Sequence, residues 1–264
     1  MFTLTQALPY IDELLPGVVE QLRGATAAEL AELEELAERP LVAPHRELLE
    51  IMGNDTGPLF ASMIAGDVRV ARLVRYYREV GWRPSERFSL IGREKTLPHS
   101  LFLDADSTPA FAVAGFDIPL KPQAHRTQPW VHAKTYAASL PELVACNAFE
   151  AFSWLNFELE AYATIEPQPE LLGRLDAALI ELGYGRHPLS GGFTGMYGRE
   201  SVATAVTSHA DPHGVGLLHM STDDRAEVER VIAALEQQLT IQLHWLENPD
   251  HLRPYVRELR ATYG

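Results

Sequence analysis

The spacing of apolar side chains predicts several helices in the first third of the chain. Thr26 is followed three positions later by Glu29, the order of a capping box, and apolar residues then recur at helical spacing through LAELEELAER. A proline ends this helix, and a second helix is predicted in HRELLEIMG. A shorter, broken helix is predicted within residues 11–22, and a third regular helix over residues 66–80.

The pattern then changes to short apolar runs that are separated by loops. RFSLIG, SLFLDA, PAFAVAGF and VHAKTYA are typical of strands, and Ser139 caps a helix that is predicted from Pro141 to about Tyr162. After the break at EPQP, leucines at helical spacing predict a helix that Gly183 ends. MYG, SVATAVTS and GVGLLHMS are predicted strands, and further helices are predicted over Arg225–Leu239 and near residues 250–262.

Runs of helices followed by runs of strands predict an α+β protein. We expect helices packed on a mixed, mainly antiparallel sheet, with a smaller C-terminal α/β extension. The predicted division is an N-terminal helical extension over residues 1–25, a main domain over 26–165 and a C-terminal subdomain over 166–264.

Charge and composition narrow the functional classes. The 264 residues carry 36 acidic and 22 basic side chains, a formal net charge of −14, which disfavours binding to a phosphate backbone. No apolar run approaches the roughly 20 residues of a membrane helix, so no membrane association is expected. Cys146 is the single cysteine, and the N-terminus lacks a basic leader. These features predict a cytoplasmic protein.

Three segments together carry a resemblance to a known family. The first is LAELEELAERPLVAPHRELLEIMGN, two helices with a proline break between them. The second is RFSLIGRE followed by SLFLDADS and PAFAVAGF, and the third is the late helix SLPELVACNAFEAF. Through these segments, residues 26 to about 160 resemble the SUKH superfamily of bacterial immunity proteins and fungal Knr-type cell-wall regulators. The residues before Thr26 and after Glu166 depart from its compact single-domain pattern.

This resemblance implies a non-enzymatic protein that binds and neutralises a cognate toxin, often a nuclease. A nuclease is basic where it grips phosphate, so an acidic protein approaches it fast. Residues 12–50 carry ten acidic and three basic side chains, a local net charge of −7. The candidate partner-binding residues are acids that are expected to be exposed. They lie on the helix predicted after Thr26 and in the loop after the second predicted strand: Glu32, Glu35, Glu38, Asp104 and Asp106.

An arginine-rich stretch lies next to this acidic region. Residues 67–95 carry eight basic and four acidic side chains, a local net charge of +4. A single-stranded nucleic-acid site would interleave such a stripe with exposed aromatic rings, but Tyr77 belongs to the predicted buried stripe. Pairing of these arginines with the acidic helices is the simpler interpretation, and no nucleic-acid partner is expected.

The sharpest chemical cluster is His209-Ala-Asp211-Pro-His213, with His219 six residues later. On an extended segment the first three of these polar residues alternate onto one face, and imidazole and carboxylate ligands suit zinc. The same residues also read as a plain turn between two strands. A metal-dependent hydrolase is therefore an alternative function, and a regulatory scaffold of the same fold is a second alternative.

No cofactor is expected from the remaining motifs. The glycines of SGGFTG lack the lysine pattern of a phosphate-binding loop, and the serines lack the G-x-S-x-G setting of a hydrolase. The leading hypothesis is therefore a cytoplasmic immunity protein, without catalysis of its own, whose partner is another protein.

Overall fold

The chain forms two compact units, residues 1–144 and residues 145–264. The computed structural model describes residues 2–60, 66–93, 99–119, 133–199, 204–210, 215–247 and 254–263, with the backbone alone at 204–210, 245–247 and 254–255. Both units combine helices with antiparallel strands, so the predicted α+β class is confirmed. The sequence places a division at 165/166, whereas the two units divide at 144/145.

The first unit places its helices before its strands, in the predicted order. The helices are α1 (Leu4–Leu14), α2 (Val18–Gln21), α3 (Ala27–Ala37), α4 (Ala43–Met52) and α5 (Val70–Val80), with a 3-10 helix at Gly57–Phe60. The strands are β1 (Phe88–Arg93), β2 (His99–Asp104), β3 (Ala112–Asp117) and β4 (Lys134–Ala137), and α6 (Leu140–Asn156) crosses the division between the units.

The start of α3 forms as the sequence predicts. The Thr26 hydroxyl accepts a hydrogen bond from the backbone N–H of Glu29, and the Glu29 carboxylate accepts one from the backbone N–H of Thr26. Without these bonds, the two backbone N–H groups at the start of the helix would have no hydrogen-bond acceptor. The third predicted helix is shorter than expected, because α5 begins at Val70 and not at residue 66.

We expect Thr26→Ala to lower the free energy of unfolding by about 1 kcal/mol, because it removes one half of this capping box. Glu35→Ala is the matched control, since Glu35 is exposed in the middle of α3 and caps nothing. Urea denaturation of both variants measures the difference. Equal stability of the two variants would contradict a stabilising role for the cap.

The N-terminal segment belongs to the first unit. The backbone N–H groups of Leu4 and Thr5, at the start of α1, both donate to the Glu47 carboxylate on α4. Arg23 pairs with Asp55 in an isolated β-bridge. The segment proposed as a separate extension over residues 1–25 therefore packs on the helices that follow it.

The first unit contains a four-stranded sheet in the order β1-β2-β3-β4, in which every pairing is antiparallel. Helices α3 and α5 cover one face of this sheet, where the Phe102 and Phe116 rings stack 3.8 Å apart in one apolar core with the helices. Because side chains alternate along a strand, His99 and Asp117 belong to the opposite face.

The second unit contains a six-stranded sheet in the order β10-β5-β9-β8-β7-β6. Its strands are β5 (Leu159–Ile165), β6 (Gly185–Arg186), β7 (Thr194–Arg199), β8 (Thr204–Ala210), β9 (Gly216–Thr222) and β10 (Ile241–Glu247). Its further helices are α7 (Leu171–Glu181), α8 (Arg225–Leu235) and α9 (Pro254–Tyr263). All of these pairings are antiparallel, as they are in the first sheet, which agrees with the expectation of mainly antiparallel strands.

The helix predicted from Pro141 to Tyr162 is too long. Helix α6 ends at Asn156, and β5 begins at Leu159 between β9 and β10. The side chains of Ala161 and Ala163 point into the core, whereas Tyr162 between them is half-buried. This alternation is a strand signal that the helical reading overlooked.

Helices α7 and α8 pack on one face of the second sheet. The core between them contains Ala161, Ala163, Leu218 and Met220 from the strands. The strand β10, which the sequence analysis leaves unassigned, extends this sheet by pairing with β5 along its whole length. The opposite face bears the half-buried rings of Tyr162, His219 and His244.

Candidate functional site

The three predicted partner-binding acids on α3 have different environments. Glu32 forms an ion pair with Arg78 of α5, and Glu38 forms one with Arg83 at 2.9 Å. Glu35 is exposed and has no side-chain partner among the residues that the structure describes. Of the three, therefore, only Glu35 presents an unpaired charge to solvent.

The two acids after β2 also differ from each other. Asp104 is buried and receives two hydrogen bonds from the Arg87 guanidinium, each at 2.6 Å. The expectation that Asp104 is exposed is therefore wrong, because its carboxylate anchors Arg87 and the turn that follows. Asp106 is exposed, and its carboxylate lies 3.8 Å from Arg87.

The predicted pairing of the arginine-rich stretch with the acidic helices is confirmed for Arg78 and Arg83. Arg78 and Arg83 pair with α3, as described above, and Arg75 pairs with Glu79 within α5 at 2.7 Å. Arg39, which follows α3, also contacts this region: its guanidinium donates hydrogen bonds to the backbone carbonyls of Ser85 and Phe88. The carboxylates of Glu32, Glu38 and Asp104, which lie outside the stretch, thus pair with three of its arginines and offset most of the local +4 charge.

A shallow groove of about 390 Å³ lies between α3 and α5. The side chains of Val70 and Val74 form its floor, and charged groups that include Glu32 and Arg78 line its rim. Because those two rim charges already pair with each other, the groove has little unmatched charge to offer a ligand.

The net charge is divided unevenly between the two units. Residues 1–144 contain 19 acidic and 14 basic residues, a net charge of −5. Residues 145–264 contain 17 acidic and 8 basic residues, a net charge of −9. The larger acidic excess therefore lies in the second unit, although all five candidate partner-binding acids lie in the first.

The candidate metal ligands are only partly within the described residues. His209 lies in β8, where the backbone register places it opposite Leu217, and Asp211 and His213 fall outside the described residues. The Nδ1 atom of His219 on β9 lies 3.7 Å from the buried Glu160 carboxylate. Within the described part of the chain, no group of three or more His, Cys, Asp or Glu residues is placed to hold a metal ion.

His219 instead takes part in a row of rings across the second sheet. Tyr162 on β5 lies between His219, with ring centroids 6.0 Å apart, and His244 on β10, at 4.6 Å. His244 Nε2 also lies 3.2 Å from the Thr164 hydroxyl. The imidazoles therefore stack on a tyrosine, an arrangement that spreads them along the sheet and does not converge them on one point.

A hydrogen-bonded chain of three side chains crosses β2, β3 and β4 of the first sheet. His99 Nδ1 lies 3.1 Å from an Asp117 carboxylate oxygen, and His99 Nε2 lies 2.9 Å from the Tyr136 hydroxyl. Because a carboxylate only accepts, Nδ1 carries the proton for Asp117, and Nε2 then accepts from Tyr136 when the imidazole is neutral. We refer to Asp117, His99 and Tyr136 as the tyrosine cluster.

Gly115 makes room for the tyrosine cluster. A Cβ atom at this position would lie 2.4 Å from Tyr136 Cε2 and 2.6 Å from His99 Nε2, so a larger residue would displace both rings. The register of β3 and β4 shifts between Val113 and Ala114, which leaves Tyr136 as the extra residue of a β-bulge. Bulges commonly re-aim a side chain in this way.

The tyrosine cluster is accessible to solvent. Tyr136 is 39% exposed, and the side chains of His99 and Asp117 are 27% and 70% exposed. Partial burial, with a smaller contribution from the charge of Asp117, raises the pKa of Tyr136 above its usual value. The hydroxyl is therefore protonated at neutral pH and acts as a hydrogen-bond donor.

Sequence reasoning missed the tyrosine cluster, because its three residues are spread over 37 positions of the chain and match no motif. One local signal existed. The glycine within the apolar strand AVAGFD marks a close approach of other groups to the backbone, as glycines in strand interiors often do. Only the strand register shows that His99 and Tyr136 are the groups that approach.

Comparisons with known proteins add no assignment for this surface. The sequence matches no family model and no curated protein. Within the described residues, no helix is long and apolar enough to cross a membrane.

Proposed function

We propose that the chain is a non-enzymatic protein of the immunity type, which binds a basic toxin domain in the cytoplasm and neutralises it. The observation that carries this proposal is the excess of exposed carboxylates that lack an internal partner. In the first unit these are Glu13, Glu20, Glu35 and Glu86, which are exposed and have no side-chain partner among the described residues. The nearby arginines Arg75, Arg78 and Arg83 already form ion pairs with other carboxylates, so they do not neutralise these four acids.

Unpaired surface carboxylates favour an electropositive partner for a physical reason. Paired charges nearly cancel at the distance of an approaching protein, whereas unpaired ones create a potential that raises the association rate. This effect is strongest at low salt, since the Debye length is about 10 Å at 0.1 M ionic strength. The resemblance of residues 26–160 to SUKH proteins supports a toxin as that partner.

The test begins with the neighbouring genes, among which we expect one for a large secreted toxin directly upstream. Co-expression of that toxin's catalytic domain with the full chain should restore growth of the host cells. The purified proteins should form a complex whose association rate falls as salt concentration rises. Failure of the chain to bind this domain or to protect the cells would contradict the proposal.

Charge reversal tests the electrostatic part separately. We expect the triple variant E20K/E35K/E86K to slow association about tenfold or more at low salt, because it converts three attractive charges into repulsive ones. The matched control, E166K/E181K/E236K, makes the same change of net charge at exposed acids of the second unit. Stopped-flow measurements should show a smaller effect for the control. Unchanged rates in the first variant would show that these acids do not steer the partner.

A further inference from the structure

The tyrosine cluster is a preformed surface feature that the proposed function has not used. The Tyr136 ring rests on Gly115, and its hydroxyl is bonded to His99. An exposed tyrosine that is already fixed loses little conformational freedom when a partner binds. Fixed tyrosines of this kind are enriched among the residues that dominate the energy of protein interfaces.

The chemistry of the cluster selects a cation. The Asp117 carboxylate is 70% exposed, and His99 occupies only its Oδ1 atom. The second oxygen has no partner among the described residues. Tyr136, which bonds to the other nitrogen of His99, adds an aromatic ring whose electron-rich face attracts cations placed within about 6 Å of its centre. An anionic or purely apolar side chain would gain nothing from the carboxylate.

Between the two basic side chains, arginine fits the cluster better than lysine. A planar guanidinium can stack on the tyrosine ring while one of its edges donates hydrogen bonds to the carboxylate. A lysine ammonium is a point charge that is strongly hydrated and cannot stack. A ring and a carboxylate that bond to the two nitrogens of one imidazole therefore match an arginine, which can contact both groups, better than a lysine.

We propose that the tyrosine cluster is the anchor for an arginine side chain of the basic partner protein. This inference rests on the proposed function for the identity of the partner, but not for the chemistry of the site. The arginine stacks on Tyr136 and pairs with Asp117, while His99 holds both groups in position through its two ring nitrogens. His99 is thus a positioning residue, and Tyr136 and Asp117 make the contacts.

The positive charge of a neighbouring lysine allows a test of whether the ligand is a cation or an anion. Lys134 on β4 is exposed and lies directly opposite Gly115 in the strand register. Its ammonium repels an arriving cation and would attract an anion. Lys134→Ala should therefore tighten the binding of an arginine by about two- to fivefold, whereas it would weaken the binding of an acidic ligand.

The first experiment uses a short probe and does not require the toxin. The peptide acetyl-Gly-Arg-Gly-amide is titrated into the full chain while NMR follows the ring signals of Tyr136 and His99. We expect these signals to shift in a saturable way with millimolar affinity, to shift less with acetyl-Gly-Lys-Gly-amide, and not to shift with acetyl-Gly-Glu-Gly-amide. Asp117→Asn should abolish the response. An absent response to the arginine peptide would overturn the proposal.

The second experiment uses the complex with the toxin domain. We expect Tyr136→Ala to raise the Kd about 30-fold or more and Asp117→Asn about tenfold, with most of the change in the dissociation rate. Tyr136→Phe keeps the ring but loses the bond to His99, so it should cost only a fewfold. Glu181→Gln, at an exposed acid of the second unit that is outside both the cluster and the steering acids, is the control for lost charge.

The two experiments separate the two proposals. Full affinity of Tyr136→Ala and Asp117→Asn for the toxin domain would overturn the arginine anchor and leave the immunity function standing. Specific binding of the arginine peptide, together with no binding of the toxin domain, would reject the immunity function and leave the anchor standing. Circular dichroism of each variant confirms that the fold is retained, and His99→Gln, which can still reach Tyr136, should partly restore the affinity that His99→Ala loses.

Discussion

Replacement of Glu227 by alanine is expected to lower the free energy of unfolding of the second unit by about 3 kcal/mol. Glu227 lies near the start of α8 and is only 4% exposed. Its carboxylate accepts two hydrogen bonds from Arg230, both at 2.7 Å, one from the Tyr184 hydroxyl at 2.6 Å and one from Arg199 at 3.2 Å. Alanine would leave these donors around an empty site, and that loss accounts for the large effect.

The same contacts predict an acid limit for the second unit. The hydrogen bonds from Arg230 contribute most to lowering the pKa of Glu227 to about 2, against the opposing effect of burial. Because the folded pKa lies below the ordinary value of 4.5, this stabilisation is present above pH 4.5. It is lost as the pH falls from 4.5 towards 2. Glu227→Ala should therefore be less sensitive to pH in this window than the parent chain.

The loss of stability in the second unit is measured by urea denaturation that is monitored through hydrogen exchange of the α8 and β7 peptides. Glu229→Ala is the matched control, because Glu229 lies on the exposed side of the same helix. Its stability should change by no more than about 0.5 kcal/mol. If the free energy of unfolding fell by the same small amount in both variants, the contacts of Glu227 would not stabilise the second unit.

On acidification, the first unit should begin to lose stability at a higher pH than the second unit does. The group responsible is His45 on α4. The His45 imidazole is 2% exposed, and neither of its nitrogens has a hydrogen-bond partner among the residues that the structure describes. It borders a cavity of about 10 Å³, room for one water at most, which is lined by Leu33, Tyr77 and Leu90 among others. Burial, and to a smaller extent the charge of Arg39, lower the pKa of His45 to about 3.

The direction of the pH effect follows from this lowered pKa. Below pH 6.5 the imidazole takes up a proton in the unfolded chain but stays neutral in the folded unit. The free energy of unfolding therefore falls as the pH drops from 6.5 towards 3, by up to about 1.4 kcal/mol per pH unit. Of the groups that line the cavity, Arg39 and Tyr77 can carry charge, and neither supplies a negative charge near neutral pH.

Two substitutions distinguish titration of His45 from a simple packing effect. His45→Gln cannot titrate but remains polar, so it should remove the slope between pH 6.5 and 3 without greatly raising stability at pH 7. His45→Leu should remove the slope and also stabilise the unit by about 1 to 2 kcal/mol at pH 7, because no unpartnered polar atom remains. Thermal unfolding across this pH range provides the measurement. An unchanged slope in both variants would assign the acid sensitivity to other groups.

Local patterns predicted much of the secondary structure and little of the arrangement. The capping box at Thr26, the helices α3, α4 and α7, and the strands β1 to β3 depend on neighbouring residues in the chain, and the sequence predicted them correctly. The stretch around Tyr162 was wrongly predicted as helix, because an apolar run with alanines suits both a helix and a central strand. Pairing with β9 and β10 decided in favour of the strand.

The predicted site divides in the same way. The sequence showed that acidic and basic stretches are adjacent, and it correctly favoured their internal pairing. It could not show which acids remain unpaired, because that depends on the packing of α3 against α5 and on the turn after β2. Within the described part of the chain Glu35 has no side-chain partner, whereas Asp104 is buried and binds Arg87.

The sequence by itself determined the α+β class, the net charge of −14 and the caps and breaks of individual helices, since these depend on composition and on residues a few positions apart. The tertiary structure decided the order of the two sheets, the unpaired acids and the tyrosine cluster. Asp117, His99 and Tyr136 lie on three different strands, and only their register brings them within hydrogen-bond distance. That register is set by which face of each strand is buried and by the connections between the strands, and these become visible only in the folded chain.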